Sequence, residues 1–369
     1  MIRPLFIFGT RPEAIKMAPI VLEAIKRNQT MQPIVCLTGQ HREMLDQVVQ
    51  YFEIQADRDL NLMQPNQTLA SLTSRCISEV DRVISETTPD FVIAQGDTTT
   101  VLAAALAAFY RKVPFVHIEA GLRSGNIMSP WPEEMNRKVA SIVTSRHCAP
   151  TQLAVDTLLS EGCDQKQVRL TGNTVIDALM FTAARERENP QKWEAKYPFL
   201  ENKPMLLITA HRRESFGQGF DDLCNALRDL AVSFPRHEFL YPVHLNPNVR
   251  EPVYRILGGL SNFHLVEPAA YPEFVWLMDR STIILSDSGG VQEEAPSLGK
   301  PVLVLRETTE RPEAVEIGAT KLVGTDRKLI VENAARLLTD KAFYDSFLGK
   351  PNPYGDGTAA RKIIDWLEV

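Results

Sequence analysis

Short apolar segments alternate with longer amphipathic segments along the chain. In the first half the apolar segments are PLFIFG (4–9), PIVCLT (33–38), FVIAQG (91–96), VPFVHIE (113–119) and SRHCAPT (145–151). Apolar, β-rich segments with helical segments between them are typical of β-α-β units around a parallel sheet. The first half is therefore predicted to form one such sheet.

A second series of the same kind follows a charged stretch. Its members are MLLITA (205–210), EFLYPVH (238–244), FHLVEP (263–268), TIILSD (282–287), PVLVLR (301–306) and KLVG (321–324). The stretch between the two series, 183–204, is charged, contains three prolines and interrupts the strand pattern, so we interpret it as a connection between domains. The predicted fold class is α/β, with two Rossmann-like doubly wound domains facing a central cleft. Ligands of open parallel sheets bind beyond the carboxyl ends of the strands, so we expect functional residues in strand-end loops.

Composition narrows the protein classes. A chain of 369 residues with 44% apolar and 23% charged residues has the balance of a globular protein with more than one core. With a net charge of −6, the protein has no overall positive field that would attract nucleic acid or an anionic membrane. Five scattered cysteines without a CxxC pair argue against a disulfide framework or a zinc site and fit a reducing compartment. With no signal-peptide core, and with the apolar stretch 101–110 too short to span a bilayer, we expect a cytoplasmic protein.

The segment FGTRPEAIK, residues 8–16, is the first strand-end loop with charged residues. Gly9 permits a tight turn, Pro12 suits the first helical turn, and Arg11 and Lys16 lie near the positive end of the predicted helix. This arrangement suits an anion. The alternative is that both cations only pair with surface carboxylates. The segment is neither GxGxxG nor a P-loop, so it does not support NAD or ATP binding by those routes.

A second loop of this type is SDSGGVQEE, residues 286–294. The backbone N–H groups of 288–290 suit a diphosphate, and Glu293 or Glu294 in the following helix suits a ribose hydroxyl. Arg311, in RETTERPEA, adds a charge-assisted hydrogen bond to the same diphosphate. A plain β-α turn with surface acids is the alternative.

Further strand-end loops contain ionisable residues: Asp97 in QGDTTT, Glu119 in HIEAGLR, Glu133 in SPWPEEMNR and His211 in ITAHRRESFG. A single such carboxylate is more often a helix cap or an ion-pair partner than a catalyst. Carboxylates gathered in one cleft raise one another's pKa, which supplies an acid and a base at neutral pH. His211 suits an acid for a leaving phosphate, or a group that holds that phosphate.

The remaining sequence motifs give weaker evidence of function. Residues 57–59 have the DxD pattern of some metal sites, but their charged surroundings favour a solvated loop. His244 is explained equally well by a ligand contact and by packing beside Pro242 and Pro247. The sequence contains no HExxH and no GxSxG motif.

Ten motifs occur in one order along nearly the whole chain: FGTRPEAIKMAP, TGQHREMLDQ, QGDTTTVLAA, HIEAGLRSG, SPWPEEMNR, LTGNTVIDAL, HRRESFG, PVHLNPNVRE, SDSGGVQEEAPSLGKPVLVLRETTERPEA and NPYGDG. Together they resemble the non-hydrolysing bacterial UDP-N-acetylglucosamine 2-epimerases. The resemblance implies a GT-B-like fold, with an N-terminal domain of 1–171 plus the returning helix 355–369 and a UDP-binding domain of 172–354. It also implies a homodimer, with no cofactor and no metal.

The implied reaction is the reversible conversion of UDP-N-acetylglucosamine to UDP-N-acetylmannosamine. It proceeds by elimination and readdition of UDP through a 2-acetamidoglucal, and its product supplies sugars for surface polysaccharide. A GT-B glycosyltransferase, a hydrolysing epimerase and a non-catalytic nucleotide-sugar sensor are the alternatives.

The resemblance also assigns roles by position. The implied catalytic residues are Asp97, Glu119, Glu133 and His211. The implied substrate contacts are Arg11, Lys16, Phe274, Ser288, Gly289, Gly290, Glu294 and Arg311. An implied regulatory site for a second nucleotide sugar uses Gln40, Glu43, Gln67, Arg212 and His244. This chain departs from some relatives at Glu43, Asn66 and Gln95, where those relatives have glutamine, arginine and histidine.

Overall fold

The structure of the protein, a computed structural model, describes residues 1–39, 42–64 and 66–369, with the side chains of residues 42 and 43 outside the described part. The chain divides into two units, Met1–Ala178 with Tyr354–Val369, and Leu179–Pro353. Each unit contains a parallel sheet flanked by helices, as the alternating pattern predicts.

The sheet of the first unit has seven described strands in the order β3-β2-β1-β4-β5-β6-β7. They are β1 (Pro4–Phe8), β2 (Ile34–Leu37), β3 (Arg58–Asp59), β4 (Phe91–Gln95), β5 (Phe115–Ile118), β6 (Thr144–Ala149) and β7 (Val168–Leu170). The helices of this part of the chain are α1 (Arg11–Lys26), α2 (Arg42–Tyr51), α3 (Leu69–Thr87), α4 (Thr99–Tyr110), α5 (Glu133–Val143), α6 (Gln152–Ser160) and α7 (Thr174–Glu188). Strand order reverses between β1 and β4, which is the position where doubly wound sheets bind ligands.

The sheet of the second unit has six described strands in the order β10-β9-β8-β11-β12-β13. They are β8 (Met205–Thr209), β9 (Glu238–Pro242), β10 (Phe263–Val266), β11 (Ile283–Ser286), β12 (Val302–Val304) and β13 (Thr320–Leu322). The remaining helices are α8 (Gln191–Lys196), α9 (Gln218–Ser233), α10 (Pro247–Leu257), α11 (Tyr271–Arg280), α12 (Gly289–Glu294), α13 (Pro312–Glu316), α14 (Arg327–Thr339), α15 (Lys341–Asp345) and α16 (Ala359–Leu367), the last of which belongs to the first unit. Here strand order reverses between β8 and β11.

The central strands are buried on both faces, which explains their continuous apolar sequences. All five residues of β1 and all five residues of β8 are buried. At the end of β1, a Cβ atom on Gly9 would lie 1.8 Å from the hydroxyl oxygen of Thr38. Glycine is therefore required where β1 turns into α1.

Two short strands differ from the sequence prediction. Strands β3 and β7 were not predicted, and Arg58–Asp59, interpreted as part of a solvated loop, pairs in parallel with β2 although both residues are exposed. The stretch 183–204 is largely helical, since it contains the end of α7, all of α8 and a 3₁₀ turn at Pro198–Leu200. In the ranges 1–39, 42–64 and 66–369, no helix has both the length and the apolar character needed to cross a membrane.

Candidate active site

The carboxyl ends of β1, β4 and β5 lie side by side in the first sheet and carry three of the predicted residues. Arg11 is the first residue of α1, Asp97 follows β4, and Glu119 follows β5 directly. The parallel register therefore gathers residues that are distant in sequence at one edge of the sheet.

Glu119 is held by several donors. Its two carboxylate oxygens lie 2.8 and 2.6 Å from the Nζ atom of Lys16, and they also accept hydrogen bonds from the side-chain amides of Gln95 and of Asn173, the latter at 3.2 Å. The Glu119 side chain is only 7% exposed. Its backbone has φ = 64°, a left-handed conformation that non-glycine residues adopt mainly where the surrounding structure enforces it.

Asp97 is not a helix cap, which was one reading of QGDTTT. The cap position of α4 belongs to Thr98, whose hydroxyl donates to Glu13. The Oδ2 atom of Asp97 instead accepts a hydrogen bond of 2.5 Å from the guanidinium of Arg137, and its backbone carbonyl accepts one of 2.8 Å from the side chain of Asn136. Helix α5 thus fixes both the side chain and the backbone of Asp97.

The two adjacent glutamates at the start of α5 have different environments. Glu133, the predicted catalytic residue, is half-buried and is the first residue of the helix. Glu134 is fully buried and accepts hydrogen bonds from the backbone N–H groups of Ser124 and Gly125 and from Arg137. Burial alone would raise the pKa of Glu134, but these hydrogen bonds and the charge of Arg137 lower it below the ordinary value, so Glu134 is a buried anion.

Glu13 anchors the turn after β1. Its carboxylate accepts hydrogen bonds of 2.8 Å from the backbone N–H groups of Gly9 and Thr10, and the Thr10 hydroxyl caps α1 in return. Burial raises the pKa of Glu13, although its hydrogen bonds act in the opposite direction. Glu13 therefore shapes the loop that carries Arg11 and Lys16.

In the second unit, Asp287 organises the loop after β8. Its Oδ2 atom accepts hydrogen bonds from the backbone N–H groups of His211 and Arg212 at 2.6 and 2.7 Å, and its Oδ1 atom lies 3.5 Å from Nδ1 of His211. The ring of His211 stacks on that of His244, with centroids 5.3 Å apart and planes 13° from parallel. His244 therefore contacts a predicted catalytic residue, which favours a role near the ligand over packing against prolines.

The pKa of His211 lies below its ordinary value. Burial is the main cause, the charge of Asp287 raises the pKa, and His244 and Arg212 lower it. His211 is consequently mostly neutral at neutral pH.

The predicted diphosphate loop follows β11. The N–H of Ser288 is already bonded to the hydroxyl of Ser286 at 3.0 Å, so the amides suited to a ligand are those of Gly289 and Gly290, in the first turn of α12. A Cβ atom on Gly289 would lie 3.2 Å from the guanidinium carbon of Arg311, so glycine lets that cation lie close to the loop. The Nε atom of Arg311 donates to the buried Glu293 at 2.7 Å.

Arg306 joins the loop after β8 to the loop after β12. Its buried guanidinium pairs with Glu214 at 2.6 Å and with Glu310 at 2.6 Å. The hydrogen bond from Arg306 lowers the pKa of Glu310 to about 2. The loops that contain His211 and Arg311 therefore share one anchor.

The other predicted positions are less involved in these contacts. Glu133 and Phe274, the latter in α11, take no part in hydrogen bonds or ion pairs of these clusters in the described part of the chain. Glu294 ends α12, and its Oε1 atom lies 3.4 Å from where a Cβ of Gly290 would be. The Gln67 side chain accepts a hydrogen bond from Arg75, while Gln40 and the side chain of Glu43 lie outside the described residues.

Among the described residues, no group of three or more His, Cys, Asp or Glu side chains is arranged to hold a metal ion.

Several residues that build these clusters were not predicted: Glu13, Glu134, Arg137, Asn173 and Arg306. Two signals were present in the sequence. Thr10 and Glu13 have the spacing of a capping box, and Glu134 and Arg137 have the i,i+3 spacing of a helical ion pair. Asn173 gave no local signal, because its partner Glu119 is distant in sequence. Arg306 gave none because Glu214 is distant and because its i,i+4 spacing to Glu310 falls in a loop and not in a helix.

The chain is similar to known proteins along nearly its whole length. The family described as UDP-N-acetylglucosamine 2-epimerase matches residues 23–368. The UDP-N-acetylglucosamine 2-epimerase of Escherichia coli K12 is 50% identical over 368 residues, covering 99% of this chain and 98% of the relative. The crystal structure of UDP-GlcNAc 2-epimerase from Neisseria meningitidis bound to UDP-GlcNAc is 51% identical, with a TM-score of 0.89 and 99% of both chains covered. The Methanocaldococcus jannaschii UDP-GlcNAc 2-epimerase in complex with UDP-GlcNAc and UDP is 30% identical, with a TM-score of 0.79 and 99% of both chains covered.

Proposed function

The chain belongs to the UDP-N-acetylglucosamine 2-epimerase family, a family of isomerases, and from this membership we propose that it interconverts UDP-N-acetylglucosamine and UDP-N-acetylmannosamine without a cofactor. The observation that carries most weight is the pair of carboxylates Asp97 and Glu119 after adjacent strands, each held by a cation. An isomerase that moves a proton off one face of a carbon and back onto the other needs two such groups.

UDP is the leaving group in this scheme. The N–H groups of Gly289 and Gly290 and the guanidinium of Arg311 bind the diphosphate, while Glu294 accepts hydrogen bonds from the ribose. Arg11 and Lys16 add positive charge, and Phe274 contacts the nucleotide. The substrate bound in the Neisseria meningitidis relative supports this choice of ligand.

The hydrogen at C2 of the sugar is not adjacent to a carbonyl group, so a carboxylate alone does not remove it. As the C1–O bond stretches, its electron pair moves onto UDP, positive charge develops at C1, and the C2 proton becomes acidic. Cationic groups and backbone amides that bind the diphosphate stabilise this departure. The nucleotide-binding residues therefore also lower the barrier to chemistry.

The elimination gives a 2-acetamidoglucal and UDP. One carboxylate accepts the C2 proton while a double bond forms between C1 and C2. A second acid then delivers a proton to the opposite face of C2 as UDP re-forms the bond to C1. Asp97 and Glu119 or Glu133 serve these two faces, and His211 assists the departure of UDP.

The proposal includes the other features that the family resemblance implies. The chain acts as a homodimer, its domains are 1–171 with 355–369 and 172–354, and its product supplies surface polysaccharide. A second nucleotide sugar regulates activity through Gln40, Glu43, Gln67, Arg212 and His244. The contact between His244 and His211 supports a link between this regulatory set and the catalytic residues.

Proton NMR of the purified protein with UDP-N-acetylglucosamine in deuterated water tests the reaction. We expect deuterium at C2 in both nucleotide sugars, without any acceptor. Inversion with the original C2 hydrogen retained contradicts elimination. Release of free N-acetylmannosamine identifies a hydrolysing epimerase, and turnover only with an added acceptor identifies a glycosyltransferase.

A further inference from the structure

Helix α5 contributes two members of a row of three charged side chains that ends at Asp97. Glu134 lies at one end of this row and is fully buried, and Arg137 lies in the middle. Asp97 lies at the other end, with its side chain 28% exposed. The NH1 atom of Arg137 lies 3.1 Å from Oε2 of Glu134, and its NH2 atom lies 2.5 Å from Oδ2 of Asp97. One planar guanidinium therefore bonds two carboxylates at the same time.

Glu134, at the buried end of this row of charged side chains, is held in a fixed position. Besides Arg137, Glu134 accepts backbone N–H groups of Ser124 and Gly125 at 3.1 and 3.3 Å. A buried carboxylate with three donors, whose pKa is lowered, stays ionised and keeps its orientation. Glu134 thus sets the direction in which Arg137 points.

At the exposed end of this row of charged side chains, only one of the two carboxylate oxygens of Asp97 is hydrogen-bonded within the described part of the chain. Arg137 occupies Oδ2 of Asp97, and Asn136, the neighbour of Arg137, bonds the Asp97 carbonyl at 2.8 Å. Among the described residues, Oδ1 of Asp97 accepts no hydrogen bond. With its backbone and one oxygen fixed, Asp97 presents the other oxygen in a single direction.

We propose that Arg137 is a positioning residue that, held by Glu134, aims the Oδ1 atom of Asp97 at the C2 hydrogen of the substrate. This inference rests on the proposed function, in which Asp97 transfers a proton. Arg137 is not among the proposed substrate contacts, so we assign its contribution to the chemical step. Because the same Glu134 carboxylate holds residues 124 and 125, the loop before α5 and Asp97 are positioned by one anchor.

Steady-state kinetics of the full-length Arg137→Lys variant test the inference. Lysine keeps the charge but lacks the fork that bonds two carboxylates, so Asp97 loses its fixed direction. We expect kcat to fall by about 10²-fold, which is the effect of misplacing a reacting group by about 1 Å. The KM for UDP-N-acetylglucosamine should stay unchanged, since Arg137 is not among the proposed substrate contacts. The Tm should fall less than in Arg137→Ala, because lysine keeps a positive charge beside the buried Glu134.

Two further variants separate positioning from folding. Glu134→Gln combined with Arg137→Lys should lower kcat no further than Arg137→Lys alone, because both changes remove the same alignment. For Arg137→Ala, added guanidinium ion at sub-denaturing concentration should restore part of kcat. The control is Arg111→Lys, which alters an exposed arginine in the same unit whose guanidinium bonds a single carboxylate, that of Asp81, and which should leave kcat at the wild-type value.

The outcomes are distinct. A wild-type kcat in Arg137→Lys overturns the inference. A loss of kcat in Arg137→Ala that accompanies a lowered Tm and is not restored by guanidinium also overturns it. Failure of the proposed function appears instead in the wild-type protein, as the absence of C2 exchange. In that event the crystal structure of Arg137→Ala decides: the inference requires Asp97 to change rotamer, and an unmoved Asp97 overturns it.

Discussion

The ammonium group of Lys16 lies 2.6 Å from one carboxylate oxygen of Glu119 and 2.8 Å from the other. This pair joins a residue predicted to bind the diphosphate to a residue predicted to move a proton. Because the same ammonium group serves the carboxylate and is proposed to serve the ligand, we expect binding of the nucleotide to change the electrostatic environment of Glu119.

Replacement of Lys16 by methionine should destabilise the protein. The two side chains are 18% and 7% exposed, and loss of the cation leaves Glu119 as a largely buried anion without its ammonium partner. We expect the free energy of unfolding in urea to fall by about 3 kcal/mol. Lys16→Met with Glu119→Gln should recover part of this loss, because the buried charge is then absent.

The control for this prediction is Lys26→Met on the same helix. Lys26 is 75% exposed and lies 3.9 Å from Glu23, so its loss should change the free energy of unfolding by less than about 0.5 kcal/mol. Equal destabilisation by Lys16→Met and by the double variant would argue against a buried pair between Lys16 and Glu119.

Replacement of Asp97 by asparagine should lower turnover while the protein stays folded. Asparagine retains an oxygen that accepts the hydrogen bond of Arg137 but no longer accepts a proton. We expect at least about a 10²-fold loss in the rate of deuterium entry at C2, measured by proton NMR. Near-normal exchange in this variant would remove Asp97 from the reaction scheme.

Asp287 should control the protonation of His211. Burial lowers the pKa of His211 and the Asp287 charge opposes that effect, so Asp287→Asn should lower this pKa further. His244→Gln should raise it, since His244 acts in the lowering direction. Titration of the His211 ring protons by NMR measures both shifts.

The Asp287→Asn substitution should also alter the pH profile of the reaction. If protonated His211 assists the departure of UDP, kcat falls as pH rises through the His211 pKa. In Asp287→Asn this fall should occur at lower pH. A pH profile identical to that of the wild type, with a measured shift in the His211 pKa, would exclude His211 as the acid.

A buried histidine should make the protein less stable in mild acid. Burial lowers the pKa of His147 from 6.5 to about 3, with smaller contributions from His117 and Arg123. Between these pH values the unfolded chain binds a proton that the folded chain does not, so stability falls as pH decreases from 6.5, by at most about 1.4 kcal/mol per pH unit. His147→Gln should make this dependence shallower in urea unfolding at several pH values, and an unchanged slope would contradict the prediction.

Much of the fold was predictable because it depends on local pattern. Continuous apolar strands such as β1 and β8 were located correctly, since strands buried on both faces of a sheet exclude polar residues. Strands β3 and β7 were missed because an edge strand of two or three residues with charged side chains has no such pattern. The stretch 183–204 interrupts the strand pattern because much of it is helical, with most of its charged residues exposed and Glu186 buried.

The sequence determined the two-sheet architecture, the strand-end loops and the types of ionisable group they carry, because these follow from residues close together in the chain. Only tertiary structure decided which of those groups meet. Lys16 reaches Glu119 across 103 positions and Arg137 reaches Asp97 across 40, and both pairs depend on the order in which β1, β4 and β5 pair. The docking of α5 likewise decided that Glu134 is buried and Glu133 is not, because consecutive residues of a helix point about 100° apart.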